Sequence, residues 1–430
     1  MQISFWSCHG LLMLAGAVYV GHLMATCPTG VKVPHIPSDS PLPLLMSWPS
    51  YQFLRHRLEF LDLVKRWTTP PDALVLDVAT KYWRSEVTYA LAALGVADAL
   101  FEAGGELGCA EMARRLGDLQ PEPLCRYMHA GASLGLLRDA GVEPPPPVAG
   151  NGLPDGDEIT SRRFGLEVAG HLLRKNLPGS LHDYVVMMVE NAPEALRSAG
   201  VESWAEGGIG WHRAHGAPFF EWIARRPEKH REFDSAMASL ALTQAMSILG
   251  DWSPPFENAT VCDIAGGRGL FLAFILQHWP GLSGILLDQN WTAEAARAHL
   301  EAKNVSDRAA VIAGSIFEPL AAELRSCDVF VLKMILHDWS DAQSVTILRN
   351  ILHVARRGAR LDIVDIAIRA DDPSIWSSGG ILHDIFMLAV HGGRERTFSE
   401  FRALLRDAGV RSEVRLTPLR GMHALVQAEL

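Results

Sequence analysis

The chain lacks any C-x-x-C pair. Its six cysteines (Cys8, Cys27, Cys109, Cys125, Cys262 and Cys327) are scattered, with no ligand spacing for zinc. Cys262 and Cys327 fall in or beside expected core strands, where a free thiol acts as a small hydrophobe. A reducing, cytoplasmic setting is therefore expected for the folded body. Charge is also sparse: 20% of residues are Asp, Glu, Lys or Arg, and the net charge is -10. Phosphate binding needs a basic surface, so nucleic acid is set aside as a main partner. Disorder is excluded as well, because 48% of the residues are hydrophobic. A length of 430 residues leaves room for two domains with sizeable cores. From Ile3 to Cys27 there is no Lys, Arg, Asp or Glu, and the first charge is Lys32. That run is long enough to cross a bilayer. It fits a signal peptide equally well, although a basic n-region is missing, or translation starts at Met24. Membrane contact is expected only through residues 3–27. Residues 28–50, rich in Pro and Ser, read as a linker.

What is present is organised around Val261 to Gln289. An apolar run ends in Asp263, a glycine-rich turn follows (Ala265, Gly266, Gly267, Gly269), and Leu270, Phe271, Phe274 and Ile275 recur at helical spacing. Pro280 and Gly281 stop that helix, and a second apolar run ends in Asp288. Glycines let a backbone approach a ligand closely, and a helix N-terminus offers free N–H groups. Asp288 lies roughly 20 residues past the turn, where a ribose hydroxyl pair is commonly held. Two nucleotide signatures fail here. The third position of a dinucleotide fingerprint would be Leu272, where Gly or Ala is needed, and no Gly-Lys-Ser/Thr follows for a P-loop. The remaining pattern, an acid, one residue, then small-Gly-Gly-x-Gly, resembles motif I of the S-adenosylmethionine-dependent methyltransferases.

Around this unit the spacing predicts helices at Tyr51–Trp67, Lys81–Phe101, Cys109–Leu116 and Glu122–Leu137, with a Pro/Gly loop at Glu143–Gly156 suited to a β-wing. The pattern is that of a winged helix. Its candidate recognition helix carries Arg126 as the only strong base, which suits dimer packing better than DNA. Further helices are expected from Leu166 to Leu249, including Leu181–Glu190, Phe219–Ala224 and Glu228–Leu249. Strands are then expected at Thr260–Ile264, Ser283–Leu287, Ala310–Gly314, Asp328–Met334 and Arg360–Ile366. The helices between them are Thr292–Lys303, Leu320–Arg325 and Asp341–Arg356. A last helix (Ser399–Ala408) and an edge hairpin (Ser412–Thr417 with Gly421–Gln427) close the chain. This is a doubly wound α/β arrangement.

The fourth strand runs into Lys333-Met-Ile-Leu-His-Asp-Trp-Ser-Asp341, placing His337 and Asp338 at the carboxyl ends of the strands. Histidine titrates near neutrality and can take a hydroxyl proton. Asp365 ends the fifth strand, and Glu395 lies in Gly392-Gly-Arg-Glu-Arg-Thr397. Carboxylates from two loops could flank the imidazole and fix its tautomer.

HDWSD followed by GGRERT, together with GHLLR, GAPFFEW and FDSAM upstream, resembles the small-molecule O-methyltransferases of the caffeic acid and acetylserotonin type from about Lys81 onward. The resemblance implies a Rossmann-like methyltransferase domain (251–430) and a helical winged-helix dimerisation domain (51–160), joined by a helical connection (161–250) lining the acceptor pocket. It implies a homodimer that transfers a methyl group from S-adenosylmethionine to a small-molecule acceptor. His337 resembles the catalytic base and Glu395 and Asp365 its bracketing acids. Asp263, Ala265, Gly266, Gly267, Gly269, Asp288, Gln289, Ser315, Ile316, Lys333 and Trp339 match cofactor positions. Phe233, Met237, Phe386 and Met387 match acceptor-pocket positions. Ala265 replaces a glycine, Ser315 an acid near the adenine, and Leu240 a polar pocket residue. Asp365 is one methylene shorter than the usual Glu, so its contact with His337 is expected to need water or a shifted loop. His383-Asp384 could pair with His337 around a metal, but the family is metal-independent and no metal is expected. Two rivals remain: the same fold acting on sulfur or nitrogen, which needs no base, and a silent dimeric scaffold.

Overall fold

The structure is a computed structural model that describes residues 69–142, 161–175, 177, 180–199, 208–249, 251–368, 375–419 and 422–430. The expected helix at 51–67 and the wing at 143–156 lie outside these residues.

The described residues open with α1 (Pro71–Thr80), α2 (Tyr82–Ala93) and α3 (Val96–Glu102). The single helix expected over 81–101 is broken, because Gly95 adopts φ +73° and starts a new helix on its far side. A short strand β1 (Leu107–Gly108), α4 (Cys109–Arg115) and α5 (Pro121–Ser133) follow. The helix expected to reach Leu137 ends early. Gly135 turns at φ +74°, and Leu137–Val142 is a strand, β2. With β3 (Arg162–Leu166) it completes a three-stranded antiparallel sheet in the order β1-β3-β2. Leu91, Leu100, Met112, Met128 and Phe164 are the centre of this unit's core.

Among the described residues, α6 (His182–Arg197), α7 (Gly210–His215), α8 (Phe219–Ala224) and α9 (Pro227–Leu249) connect it to the large sheet. Then come β4 (Thr260–Ile264), α10 (Leu270–His278), β5 (Ser283–Asp288), α11 (Asn290–Ala302), β6 (Ala309–Ala313) and β7 (Val329–Lys333). The chain continues through α12 (Asp341–Val354), β8 (Arg360–Ile368), α13 (Ile375–Val390), β9 (Arg396–Thr397), α14 (Phe398–Ala408), β10 (Arg415–Pro418) and β11 (His423–Glu429). The sheet runs β10-β11-β8-β7-β4-β5-β6, parallel except at the β10–β11 hairpin and its junction with β8. β9 pairs with the end of β8.

Alternation along the strands divides the core. Cys262, Ile264, Phe330, Leu332, Leu361 and Ile363 face α12 and α14, while Val261, Leu286, Val329, Val331 and Val364 face α10 and α11. Burial on both faces explains why these strands read as continuous apolar runs. Each large side chain removed from water adds about 1.5–3 kcal/mol. The helix expected at 320–325 is a single 3₁₀ turn, Ala322–Ser326. α12 and α14 start at capping boxes, Ser340 with Gln343 and Thr397 with Glu400. α13 was not expected at all.

The thiols expected to be free are joined. Cys109 bonds Cys125 (Cα–Cα 5.3 Å) and Cys262 bonds Cys327 (Cα–Cα 5.9 Å). This removes the ground for inferring a reducing compartment from the cysteines. Among the described residues no helix is long and apolar enough to cross a membrane.

Candidate active site

The glycine turn after β4 is built from left-handed residues: Ala265 (φ +57°), Gly267 (+58°) and Gly269 (+74°). Ala265 carries the cost of that conformation without a glycine. Its N–H donates to Leu287 O at 2.8 Å, tying the turn to the end of β5. At Gly266 a Cβ would meet the Asp263 carboxylate at 2.4 Å, so no side chain fits. Asp288 closes the other wall. Its Oδ2 accepts from Gly267 N and its Oδ1 from Gln289 N, both at 2.7 Å. The Thr292 side chain bonds Asp288 as well, and the carboxylate keeps further acceptor capacity.

Asp263 is fully buried, and burial raises its pKa to about 7 against the pull of Lys333; Asp288 adds to the rise. Its Oδ2 has no protein partner. Lys333, at the end of β7, is pushed down to about 8 by burial, which Asp263 and Asp365 resist. Its Nζ donates to Gln244 Oε1 at 2.9 Å. Burial also raises Asp288, although the N–H groups of Gln289 and Gly267 oppose it. Ser315 Oγ accepts from Phe317 N at 3.2 Å, and Ile316 O accepts from Asn350. Trp339 stacks on Phe220 (6.1 Å, 21°) and packs edge-on to Phe317 (4.7 Å).

The second half of the site follows β7. Met334 turns with φ +55°, and a 3₁₀ turn, Leu336–Asp338, carries His337 inward. His337 Nδ1 lies 2.9 Å from Glu395 Oε1 and 3.5 Å from Asp365 Oδ1, while its Nε2 lies 3.7 Å from Asp338 Oδ1. Asp365 therefore reaches the imidazole's vicinity directly, though beyond hydrogen-bond length. Burial disfavours the imidazolium, but Asp365, Asp338 and Glu395 outweigh it and raise His337 to about 10. Burial raises Asp338 to about 7 and Asp365 to about 6, each opposed by His337. Glu395 moves the other way: hydrogen bonds from His337 and His383 overcome its burial and lower it.

The two motifs are fastened to each other through the backbone. Arg394 N donates to His337 O at 2.9 Å. The buried Arg396 guanidinium donates to Leu336 O (2.6 Å), Trp339 O (2.8 Å) and Asp341 Oδ1 (2.9 Å). α13 holds the acid from the other side, where Asp384 Oδ1 accepts from Glu395 N at 2.8 Å.

An aromatic cluster adjoins His383 and His391. Phe233 packs on Phe219 (5.3 Å), and Phe386 lies 5.4 Å from His383. Met387 is buried in α13 and Met237 half-buried in α9. Two histidines beyond the expected set stand here. His383 Nδ1 lies 2.8 Å from Glu395 Oε1, and His391 Nδ1 lies 3.7 Å from Asp338 Oδ1, with its ring 4.7 Å from Phe219. Burial takes His391 down to about 3, with His337 and His383 adding to the fall. The proximity of His383 to Asp384 had suggested only a metal pair. Its shared carboxylate could not be read from the chain.

An O-methyltransferase domain family matches residues 195–411, half of the chain. The chain belongs to this O-methyltransferase family. The methyltransferase is 33% identical over 325 residues to O-demethylpuromycin-O-methyltransferase from Streptomyces alboniger, covering 75% of this chain and 80% of that one. It is 31% identical over 330 residues to the 8-amino-8-demethylriboflavin N,N-dimethyltransferase of Streptomyces davaonensis, covering 75% and 85%. CalO1, a methyltransferase of calicheamicin biosynthesis solved in an SAH-bound form, superposes with a TM-score of 0.66 at 26% identity, over 84% of this chain and 98% of that one.

Proposed function

We propose that this methyltransferase moves a methyl group from S-adenosylmethionine to a hydroxyl of a small aromatic acceptor, with His337 as general base. One observation carries the reading. The Nδ1 side of His337 is filled by Glu395 and Asp365, which leaves Nε2 as the atom to face an acceptor.

The cofactor's residues fit. Asp288 has lone pairs open for a ribose diol. Asp263 Oδ2 is a buried acceptor without a partner, and no atom lies within 4 Å of where a Gly267 Cβ would stand. When bound, S-adenosylmethionine supplies an electrophilic methyl on a cationic sulfonium. Gly266, Gly267 and Gly269 keep the loop open, and Ala265 shapes it. Gln289, Ser315, Ile316, Lys333 and Trp339 complete the cofactor's surroundings.

Once His337 has shed the extra proton that its carboxylates favour, the neutral imidazole takes the acceptor's hydroxyl proton at Nε2. Glu395 and Asp365 hold the Nδ1–H tautomer and stabilise the imidazolium that results, in the manner of a triad. Phe233, Met237, Phe386 and Met387 exclude water and orient a flat acceptor, and orientation supplies much of the acceleration. In the same reading, residues 51–160 are a winged-helix dimerisation domain, 161–250 a connection over the acceptor and 251–430 the catalytic domain, and the enzyme works as a homodimer. The N,N-dimethyltransferase relative supports a second reading, an amine acceptor. A neutral amine is already nucleophilic.

The test is His337→Ala against wild type, with labelled S-adenosylmethionine and a panel of phenols and aryl amines. A fall in kcat of roughly 10²–10⁴, the usual contribution of a general base, is expected on phenols, with S-adenosylhomocysteine affinity unchanged. Undiminished turnover would exclude His337 as the base.

A further inference from the structure

Glu395 Oε1 receives two imidazoles at once. His337 Nδ1 approaches from the loop after β7 at 2.9 Å, and His383 Nδ1 from α13 at 2.8 Å. The two rings are nearly parallel, at 10°, with centroids 6.0 Å apart. Glu395 Oε2 is buried and has no partner, so both imidazoles bear on a single oxygen. These same three side chains bring their ligand atoms within 4.8 Å of one another. The distances are those of two N–H donors on one acceptor.

We propose that His383 is a positioning residue for proton transfer: by donating its Nδ1–H to the same Glu395 oxygen as His337, it fixes that carboxylate and divides its charge between two imidazoles. The inference rests on His337 being the base. Three consequences follow from the chemistry. In its neutral form each imidazole keeps its proton on Nδ1, which leaves Nε2 as the acceptor. The main chain beneath that carboxylate is held as well, by the bond from Glu395 N to Asp384 Oδ1. And the carboxylate's pull on His337 is moderated, so His337 gives up its proton more readily than it would with Glu395 to itself.

His337 is also faced by Asp338 on its own turn and Asp365 on β8, and it interacts electrostatically with His391 after α13 and His423 on β11. Lys333 and Arg396 act on Asp365. None of these touches Glu395 Oε1 among the described residues. The side chain of His383 is 19% exposed against 8% for His337, so a proton held there sits nearer to solvent.

The test needs no acceptor. Protein loaded with S-adenosylhomocysteine and labelled at histidine is compared by NMR at pH 7 as wild type, His383→Ala and His383→Asn. The His337 Nδ1 proton is assigned by its loss in His337→Ala. With the second donor gone, the His337–Glu395 bond becomes the sole charge-assisted contact and shortens. In His383→Ala the resonance is expected to move downfield, the direction of a shorter and stronger bond. Asn, which keeps a side-chain N–H, is expected to return it toward wild type. S-adenosylhomocysteine affinity within about twofold of wild type shows that each variant is folded, and Asn carries the test if Ala is not.

An unmoved resonance in His383→Ala, or an Asn variant that behaves as Ala does, overturns the proposal. If His337→Ala is inactive and the resonance does not move, the bridge alone fails. If His337→Ala retains turnover, the base reading falls and takes the catalytic role of His383 with it.

Discussion

Gly393 stands with its Cα against the carbonyl of His337: a Cβ there would lie 2.0 Å from His337 O and 2.9 Å from Asp338 C. The glycine is required by this close approach of two backbones, which also lets Arg394 N reach His337 O. Gly393→Ala must therefore push the two loops apart. Thermal unfolding is expected to show a loss of about 1–3 kcal/mol, as for overpacking elsewhere, and turnover is expected to fall at least tenfold because sub-ångström placement is lost. Gly105→Ala, where nothing lies within 4 Å, is the control, expected to stay within about 0.5 kcal/mol.

Arg396 offers a second test of the same junction. Its guanidinium is almost wholly buried and bonded to two carbonyls and Asp341. Arg396→Met leaves those acceptors unpaired. Removing one partner of such a buried set costs about 3–5 kcal/mol, and the exposed Asp341 places this case at the lower end. Arg396→Lys keeps the charge but not the planar fork, so denaturant titration should place it between wild type and Met.

Asp263 gives a pH signature. Its carboxyl is held at about 7 in the fold against an ordinary 3.8, chiefly by burial. Between these values the folded chain keeps a proton that the unfolded chain releases, so stability is lost as pH rises from about 4 to about 7. Asp263→Asn removes that dependence. The stability of the variant relative to wild type is expected to climb over this window and level off above it, by up to a few kcal/mol. A difference that is flat from pH 4 to 8 in denaturant titrations would contradict the burial account.

His337 should respond to the charge of what is bound. Three carboxylates hold it near 10, where it keeps its proton at neutral pH. A nearby positive charge favours the neutral imidazole. NMR titration is expected to give a midpoint lower by about one unit or more with S-adenosylmethionine than with the uncharged S-adenosylhomocysteine, where one unit is a factor of ten in neutral imidazole. Equal midpoints would mean that the sulfonium does not reach this site.

The parallel core was legible because strands buried on both faces leave short apolar runs ending in acids. Thr260–Ile264 matches to the residue, and β8 extends only two residues past the expected end. The edge hairpin of β10 and β11 also stands where the chain's last two runs placed it. The misses share a cause in tertiary context. α13 is apolar almost all round, so it has no helical period to read. Gly95 and Gly135 break helices whose side-chain spacing ran on across them. The disulfides join cysteines 16 and 65 residues apart, and connectivity is not encoded in such spacing. In the candidate site, His337, Asp365 and Glu395 come together as their strand-end positions implied. His383 and His391 were missed because only the packing of α13 brings them to the same acids.

The clamp between the two motifs grips main chain at three points, beside the Asp341 side chain. Arg396 and Arg394 hold the carbonyls of Leu336, Trp339 and His337, atoms that every amino acid possesses. The proton-transfer geometry is thereby insulated from the identity of the residues around it. Phe219 and Phe220 on α8, Phe233 on α9 and Phe386 on α13 pack around His383 and His391, and of these helices only α13 joins the clamp, through Asp384. On the proposed reading these rings are a replaceable lining on a fixed chassis: exchanging them should redirect which molecule is methylated while the proposed base stays in place.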